Sequence, residues 1–353
     1  MRAERRAEAR TAEWTDRRWF VVAGAVLLGA VLVGVSLGPA GPAWWRVPLE
    51  VLDRLPLVSI DSGVTDTEWN IVWQIRMPRV LVGGLVGAML SVAGASYQGV
   101  FRNPLVDPYL LGAAAGAGLG ATLMLTTGRS VTEDWPIDPV QFAAFLTALL
   151  TVAVTYAVGA SFGGVRSGPT LVLAGVAVVS FATAMQTFIL QRNLDAVREV
   201  FNWILGRLSG STWGDVRTIT PYVVVACVVL MLHRRHLDVF RVGDDEAASL
   251  GVSVARTRLV IVVAATLGTA AVVSVSGLIG FVGLIVPHVI RLMAGAGYRR
   301  VIPLSILLGA AFLILADVPG RMLTSPAETP IGVVTAFIGA PFFIYLLRTR
   351  KMV

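Results

Sequence analysis

The stretch Arg79-Val-Leu-Val-Gly-Gly-Leu-Val-Gly-Ala-Met-Leu-Ser-Val-Ala-Gly-Ala-Ser-Tyr-Gln-Gly99 decides the fold. After Arg79 it carries no charge, and Gly and Ala recur among its aliphatic residues. Bilayer hydrocarbon is about 30 Å thick, so a helix crossing it needs about 20 mostly apolar residues. Small side chains in such a helix let neighbours approach closely. The stretch therefore reads as a membrane span. Working outward, similar runs are predicted at 19–38, 108–127, 139–160, 170–190, 217–233, 257–276, 278–294, 301–318 and 331–347, which with 79–99 makes ten. The expected fold class is all-α: one polytopic membrane domain over 19–347, a basic N-terminal segment 1–18 and a tail 348–353. Composition agrees, since 56% of residues are hydrophobic and only 14% charged, against about 25% charged in soluble domains.

The run Trp19–Leu37 is longer than a secretory signal core, and Glu4, Glu8, Glu13 and Asp16 interrupt its basic leader, so it is expected to stay as a membrane helix. Lys and Arg concentrate on the cytoplasmic side of a membrane. With the N-terminus cytoplasmic, segments 1–18, 100–107, 161–169, 234–258, 291–300 and 348–353 are inner and hold 19 of the 29 basic residues. Ten spans with both termini inside, in a bacterial plasma membrane, is the expected topology. Two outer segments are long. Residues 39–78 contain Trp44, Trp45 and Trp69, which suit a membrane interface. Residues 191–216 are expected to hold a short helix from Val200 to Leu208.

Several function classes lose their support here. The one lysine, Lys351, precedes Met352, so the Lys-Ser/Thr of a phosphate-binding loop is missing. The glycines of Gly112-Ala-Ala-Ala-Gly116-Ala-Gly118-Leu-Gly120 imitate a dinucleotide fingerprint but lie inside an apolar span, where packing explains them. Cys227 has no partner for a disulfide, and His233, His236 and His288 are better explained by helix ends or packing than by a metal. Span centres carry almost no ionisable residues, with Asp317 toward an outer end, whereas ion-coupled carriers place such relays at mid-membrane. Segment 241–256 reads as a short helix opened by Asp244, Asp245 and Glu246, stopped by Gly251 and followed by a second short helix. By itself it is equally a solvated connector or a docking element. Ser91-Val-Ala-Gly94 and Ser274-Val-Ser-Gly277 form a faint echo in spans of opposite direction, as inverted repeats require.

Taken in order, Val72-Trp-Gln-Ile-Arg76-Met-Pro78-Arg79, Arg102-Asn103-Pro104-Leu105-Val-Asp107-Pro108, Leu250-Gly251-Val252, Gly280-Phe-Val-Gly-Leu-Ile-Val-Pro287-His288, Leu315-Ala-Asp317 and Pro330-Ile-Gly-Val-Val-Thr-Ala-Phe-Ile-Gly-Ala-Pro341 resemble the FecCD permease family of ABC importers. The resemblance runs from about residue 19 to the C-terminus. It implies a ten-helix type II importer fold, and a permease subunit that imports ferric siderophores, with haem or cobalamin as alternatives. It also implies a second permease subunit (the same chain or a different one), two cytoplasmic ATPase subunits holding ATP and Mg, and an extracytoplasmic binding protein. The chain itself would be no enzyme and hold no cofactor. The alternative class is a carrier or channel acting without an ATPase.

The resemblance also assigns roles. Arg76, Arg79 and Arg321 are expected to pair with carboxylates of the binding protein; read alone, Arg76 and Arg79 anchor a helix at the headgroups. Asn103 and Leu105 match one inner constriction. Ser167, Gly168, Pro169 and Thr170 match a second, with the family's hydroxyl-rich pattern only partly kept. Gly243, Asp244, Asp245, Glu246, Ala247, Ala248, Ser249, Leu250, Gly251 and Val252 match the segment that docks in an ATPase cleft, which favours the docking reading of that segment.

Overall fold

A computed structural model of the chain describes residues 2–54, 62–127, 138–161, 168–325 and 327–349. Among them every regular element is a helix, and each of the ten predicted spans carries one. In chain order these are α1 (Arg2–Ser36), α4 (Met77–Phe101), α5 (Ala113–Thr126), α6 (Pro139–Ser161), α7 (Gly168–Gln191), α9 (Trp213–Phe240), α11 (Val254–Ser276), α12 (Val282–Ala294), α13 (Tyr298–Met322) and α14 (Ile331–Thr349). Four short helices join them: α2 (Arg46–Asp53), α3 (Asp66–Ile71), α8 (Val197–Ile204) and α10 (Asp244–Ser249). Seven helices are long and apolar enough to cross a membrane; α5, α12 and α14 are shorter.

The short helices correct two of the expected spans. Residues 108–112 and 278–281 are apolar but not helical, so the third and eighth spans begin late, at Ala113 and Val282. Each helix is entered through a left-handed residue, Gly112 at φ 93° and Phe281 at φ 69°. Non-helical backbone in a membrane protein must be satisfied by protein, since lipid offers no hydrogen bonds. Tyr109 meets that need: its hydroxyl donates to Ile279 O at 3.0 Å and accepts from Ile279 N at 3.1 Å. The two breaks therefore meet through Tyr109. α4 ends beside α10, through Arg102 and Asp244, whereas α11 begins five residues beyond α10, at Val254, so α4 and α11 run in opposite senses. The echo Ser91–Gly94 and Ser274–Gly277 thus precedes two broken spans of opposite sense, as inverted repeats require.

Two further boundaries differ. No second short helix follows Gly251, because α11 runs unbroken from Val254. The outer helix predicted at Val200–Leu208 lies at Val197–Ile204, and Gly206 at φ 73° ends the turn beyond it.

The core is a seam of small residues. Gly87 of α4 faces Gly309 of α13 so closely that a Cβ on either would strike the other's backbone. Gly94 faces the Gly283 backbone in the same way. Gly116 and Gly120 of α5 lie against the Thr147 and Ala143 carbonyls of α6, which confirms packing as the reason for that glycine run. Around α4 the side chains of Val82, Val86, Met89, Leu90, Tyr97 and Leu237 are almost fully buried. Gly94→Ala should therefore destabilise the protein by about 1–3 kcal/mol, the cost of overpacking where backbone cannot yield. Gly29→Ala, with nothing within 4 Å, should not destabilise it; thermal unfolding in detergent compares the two.

Candidate transport elements at the two ends of the bundle

Twenty-five residues carry α4 from one polar cluster to another, a rise of roughly 37 Å. At its first end α1 finishes at Ser36, leaving carbonyls without helical partners. Arginines supply the donors. Arg76, in a π-helical turn at Val72–Arg76, donates to Val35 O at 3.1 Å, Ser36 O at 2.7 Å and Ala40 O at 2.5 Å. Arg321 of α13 donates to Gly34 O at 2.5 Å. Cations at a helix C-terminus also oppose its dipole. One turn beyond Arg76, Arg79 grips Asp317 with two bonds of 2.8 Å and reaches Glu328 at 2.8 Å. Arg321 Nε lies 3.6 Å from the same Asp317.

The structure thus gathers the three expected docking arginines but turns two of them inward. Arg76 is 4% exposed and Arg321 2%, and both hold α1. Arg79 approaches the surface, beside the more exposed Glu328. Sequence reading missed the capping of α1, because nothing in the spacing of Arg76 and Arg321 names the carbonyls they meet. Asp317, noted only as an acid near a span end, is the hub of this cluster. Trp73 stacks near Trp69 and Trp213, and Trp213 Nε1 donates to Trp73 O at 3.0 Å, tying the long outer segment to α9.

At the other end α4 stops at Arg102, which is left-handed at φ 51°. Asn103 N donates to Gln98 O at 3.1 Å, and Asn103 Oδ1 accepts from Leu105 N at 2.9 Å. Asparagine favours such turns because its side chain mimics a backbone acceptor. With its oxygen spent on the turn, Asn103 fixes the backbone, and Leu105 projects outward at 51% exposure. Next to them, burial pushes the Asp107 carboxyl up to about 6, opposed by the bond from Tyr109 N.

Of the second expected constriction, Ser167 lies outside the described residues, while Gly168 and Pro169 open α7 and Thr170 is partly buried. Further along α7, Gly175 packs on the Leu110 carbonyl, so α7 borders the chain that follows Leu105.

The segment expected to dock on an ATPase forms a helix over Asp244–Ser249. Gly243 at φ 124° admits the chain, Asp244, Asp245 and Glu246 fill the first turn, and Gly251 at φ 83° closes it with its N–H on Ala248 O. Ala247 is buried against the bundle, and Val252 N bonds Ala247 O at 3.1 Å. Asp244 pairs with the buried Arg258 of α11 at 2.9 Å. The opposite side stays open: Leu250 is 67% exposed, with Asp245, Ala248 and Ser249 also exposed. Among the described residues no group of His, Cys, Asp and Glu could hold a metal ion.

Removing the carboxylate hub should be costly. Asp317→Ala leaves Arg79 without its bidentate partner and is expected to destabilise the protein by about 3–5 kcal/mol, as for other buried pairs broken from one side. Glu328→Gln, at the exposed rim, should stay within about 1 kcal/mol. Unfolding temperatures of the two variants in detergent make the comparison.

Comparison with known proteins agrees with this architecture. A model of the FecCD transport family matches residues 26–349. A cobalamin import system permease protein of Halobacterium salinarum is 37% identical over 378 residues, covering 99% of this chain and 99% of its own length. An Fe(3+)-citrate import system permease protein of Bacillus subtilis is 35% identical over 94% of this chain and 95% of its own. A hemin transport system permease protein of Yersinia pestis is 34% identical over 82% of this chain and 87% of its own. Among solved structures, a metal-chelate type ABC transporter in an inward-facing conformation superimposes with a TM-score of 0.80 at 27% identity, covering 94% of this chain and 99% of that one. A helical bundle in which the expected third and eighth spans start late, matched along nearly its whole length, is therefore a member of the FecCD transport family.

Proposed function

We propose that this chain is the membrane permease subunit of an ATP-driven importer and carries a ferric siderophore or a related metal chelate inward. The observation that carries the reading is α10: a short helix held to the bundle by Ala247 and Asp244, with Leu250 exposed on its free side. An apolar residue offered to water on a polar rim fits a hydrophobic anchor for another protein. Membership of the FecCD family supplies the kind of partner, an ATPase subunit. The chain carries no lysine in a phosphate-binding loop, so ATP and Mg would sit on that subunit. Two ATPase subunits under two permease subunits, like or unlike, make the working unit, with a binding protein above.

In this reading both termini and α10 face the cytoplasm, as the excess of Arg on that side supports, and the membrane is the bacterial plasma membrane. ATP binding draws the ATPase subunits together and moves α10. The helices above rock, and access alternates between the two faces. Asn103 and Leu105, with the start of α7, narrow the inner exit. At the outer rim the Arg79–Asp317–Glu328 cluster, with Glu328 its most exposed member, is where a binding protein would meet the chain, while Arg76 and Arg321 set the rim by fixing α1. The relatives' names each specify a metal chelate, cobalamin, ferric citrate or hemin, which supports that cargo class. A solitary ion-coupled carrier fits less well, because the ion pairs among the described residues gather at the two ends of the bundle and not at its middle.

Vesicles containing the permease, its ATPase and its binding protein should take up labelled cobalamin or ferric citrate only when ATP is supplied. Uptake by the permease alone, following an ion gradient, would sink this reading. Leu250→Glu should lower ATP-driven uptake about tenfold or more, in line with loss of a central apolar anchor, and should release the ATPase on co-purification.

A further inference from the structure

Asp244 faces two arginines, and they hold it differently. One carboxylate oxygen accepts from Arg258 Nη2 at 2.9 Å, and Arg258 is 2% exposed at the foot of α11. The other oxygen has no hydrogen bond among the described residues, and the Arg102 Nη2 lies 3.8 Å from it. Arg102 is 49% exposed. So the first residue of α10 is joined to α11 by a short, buried contact and to the end of α4 by a longer one made to a half-exposed arginine.

The second contact reaches the exit. Arg102 is the last point of α4 and is left-handed at φ 51° and ψ 36°. That conformation is unfavourable for an L-residue, and glycine avoids the cost. Arginine in that place implies use of its side chain. From Arg102 the chain passes directly into Asn103, whose side chain locks Leu105 N at 2.9 Å. Asn103 N is in turn bonded to Gln98 O at 3.1 Å, so Leu105 is tied through Asn103 to the end of α4 and follows it.

We propose that the Arg102–Asp244 pair is a tether that positions the Asn103–Leu105 constriction according to where α10 stands. The Arg258–Asp244 bond is its fixed side. When α10 shifts, Asp244 pivots on Arg258 and either closes the 3.8 Å gap to Arg102 or opens it. Closing draws the end of α4 toward α10; opening frees it. Arg102 and Asp244 act as positioning residues and touch no cargo. The inference rests on the reading of α10 as the ATPase dock.

The test is cargo delivered per ATP hydrolysed, measured in vesicles holding the complete transporter, with whichever of cobalamin and ferric citrate it takes up. Arg102→Gln should lower that ratio about threefold, the scale of a half-exposed ion pair, and Arg102→Lys should recover most of it. Asp244→Asn should lower it too, and the double variant should be no worse than the worse single, because both remove one contact. An unchanged ratio in R102Q, or single losses that multiply in the double variant, would overturn the tether. If D244N fails to assemble because Arg258 loses its buried partner, R102Q and R102K decide the matter. Loss of uptake in L250E with an unaltered R102Q ratio removes the tether alone. Full uptake in both removes the docking reading and the tether with it.

Discussion

Hydrocarbon offers nothing to a peptide N–H or C=O, and that constraint governs where every feature of this chain can sit. Helices satisfy their own backbone, so they fill the depth of the membrane. Their packing gains nothing from expelling water, since lipid tails are as apolar as leucine, and contact must come from close approach. Gly87 against Gly309 and Gly94 against Gly283 provide it. Where the backbone leaves the helix, at 108–112 and 277–281, protein groups replace water; the Tyr109 hydroxyl spans the two breaks. Charge is driven to the ends, and there it concentrates into the two clusters that concern function.

The clusters differ in stiffness. At the end that carries Arg76, Arg79 and Arg321 all three are buried or nearly so, and each makes at least one short bond. At the inner end one arginine is buried and one is half in water. Short dry contacts resist rearrangement; long wet ones are screened and yield. The asymmetry makes the α10 end of this permease the more yielding of the two.

Much of this was legible in the residues, for physical reasons. Span positions follow from hydropathy, which measures the same transfer free energy that places a helix in lipid. The α10 segment was legible because acidic residues and a positive-φ glycine mark the two ends of a helix. The starts of α5 and α12 were not, since residues 108–112 and 278–281 are as apolar as a helix interior and differ from one only in backbone angles. The second short helix expected after Gly251 was lost for the opposite reason: α11 extends past the membrane span to Val254, and exposed helix has no hydropathy signature. Arg76 and Arg321 resemble surface charges in sequence because their partners are main-chain carbonyls, which every residue has. Arg258 is counted among the inner positive charges, yet it is buried, and only its meeting with Asp244 explains how that is tolerated.

The clamping of α1 has a consequence for how the molecule can be divided into moving bodies. Two guanidinium groups, one from the turn before α4 and one from α13, seize the last carbonyls of α1, and α13 is welded to α4 along the glycine seam. These three helices form a single frame. Helices α5, α6 and α7 make a second group, with α5 set into α6 along its own glycines. Helix α11 packs on both α4 of the frame and α6 of the group, and the stretch of chain that crosses from one to the other after α4 is the segment beginning at Arg102.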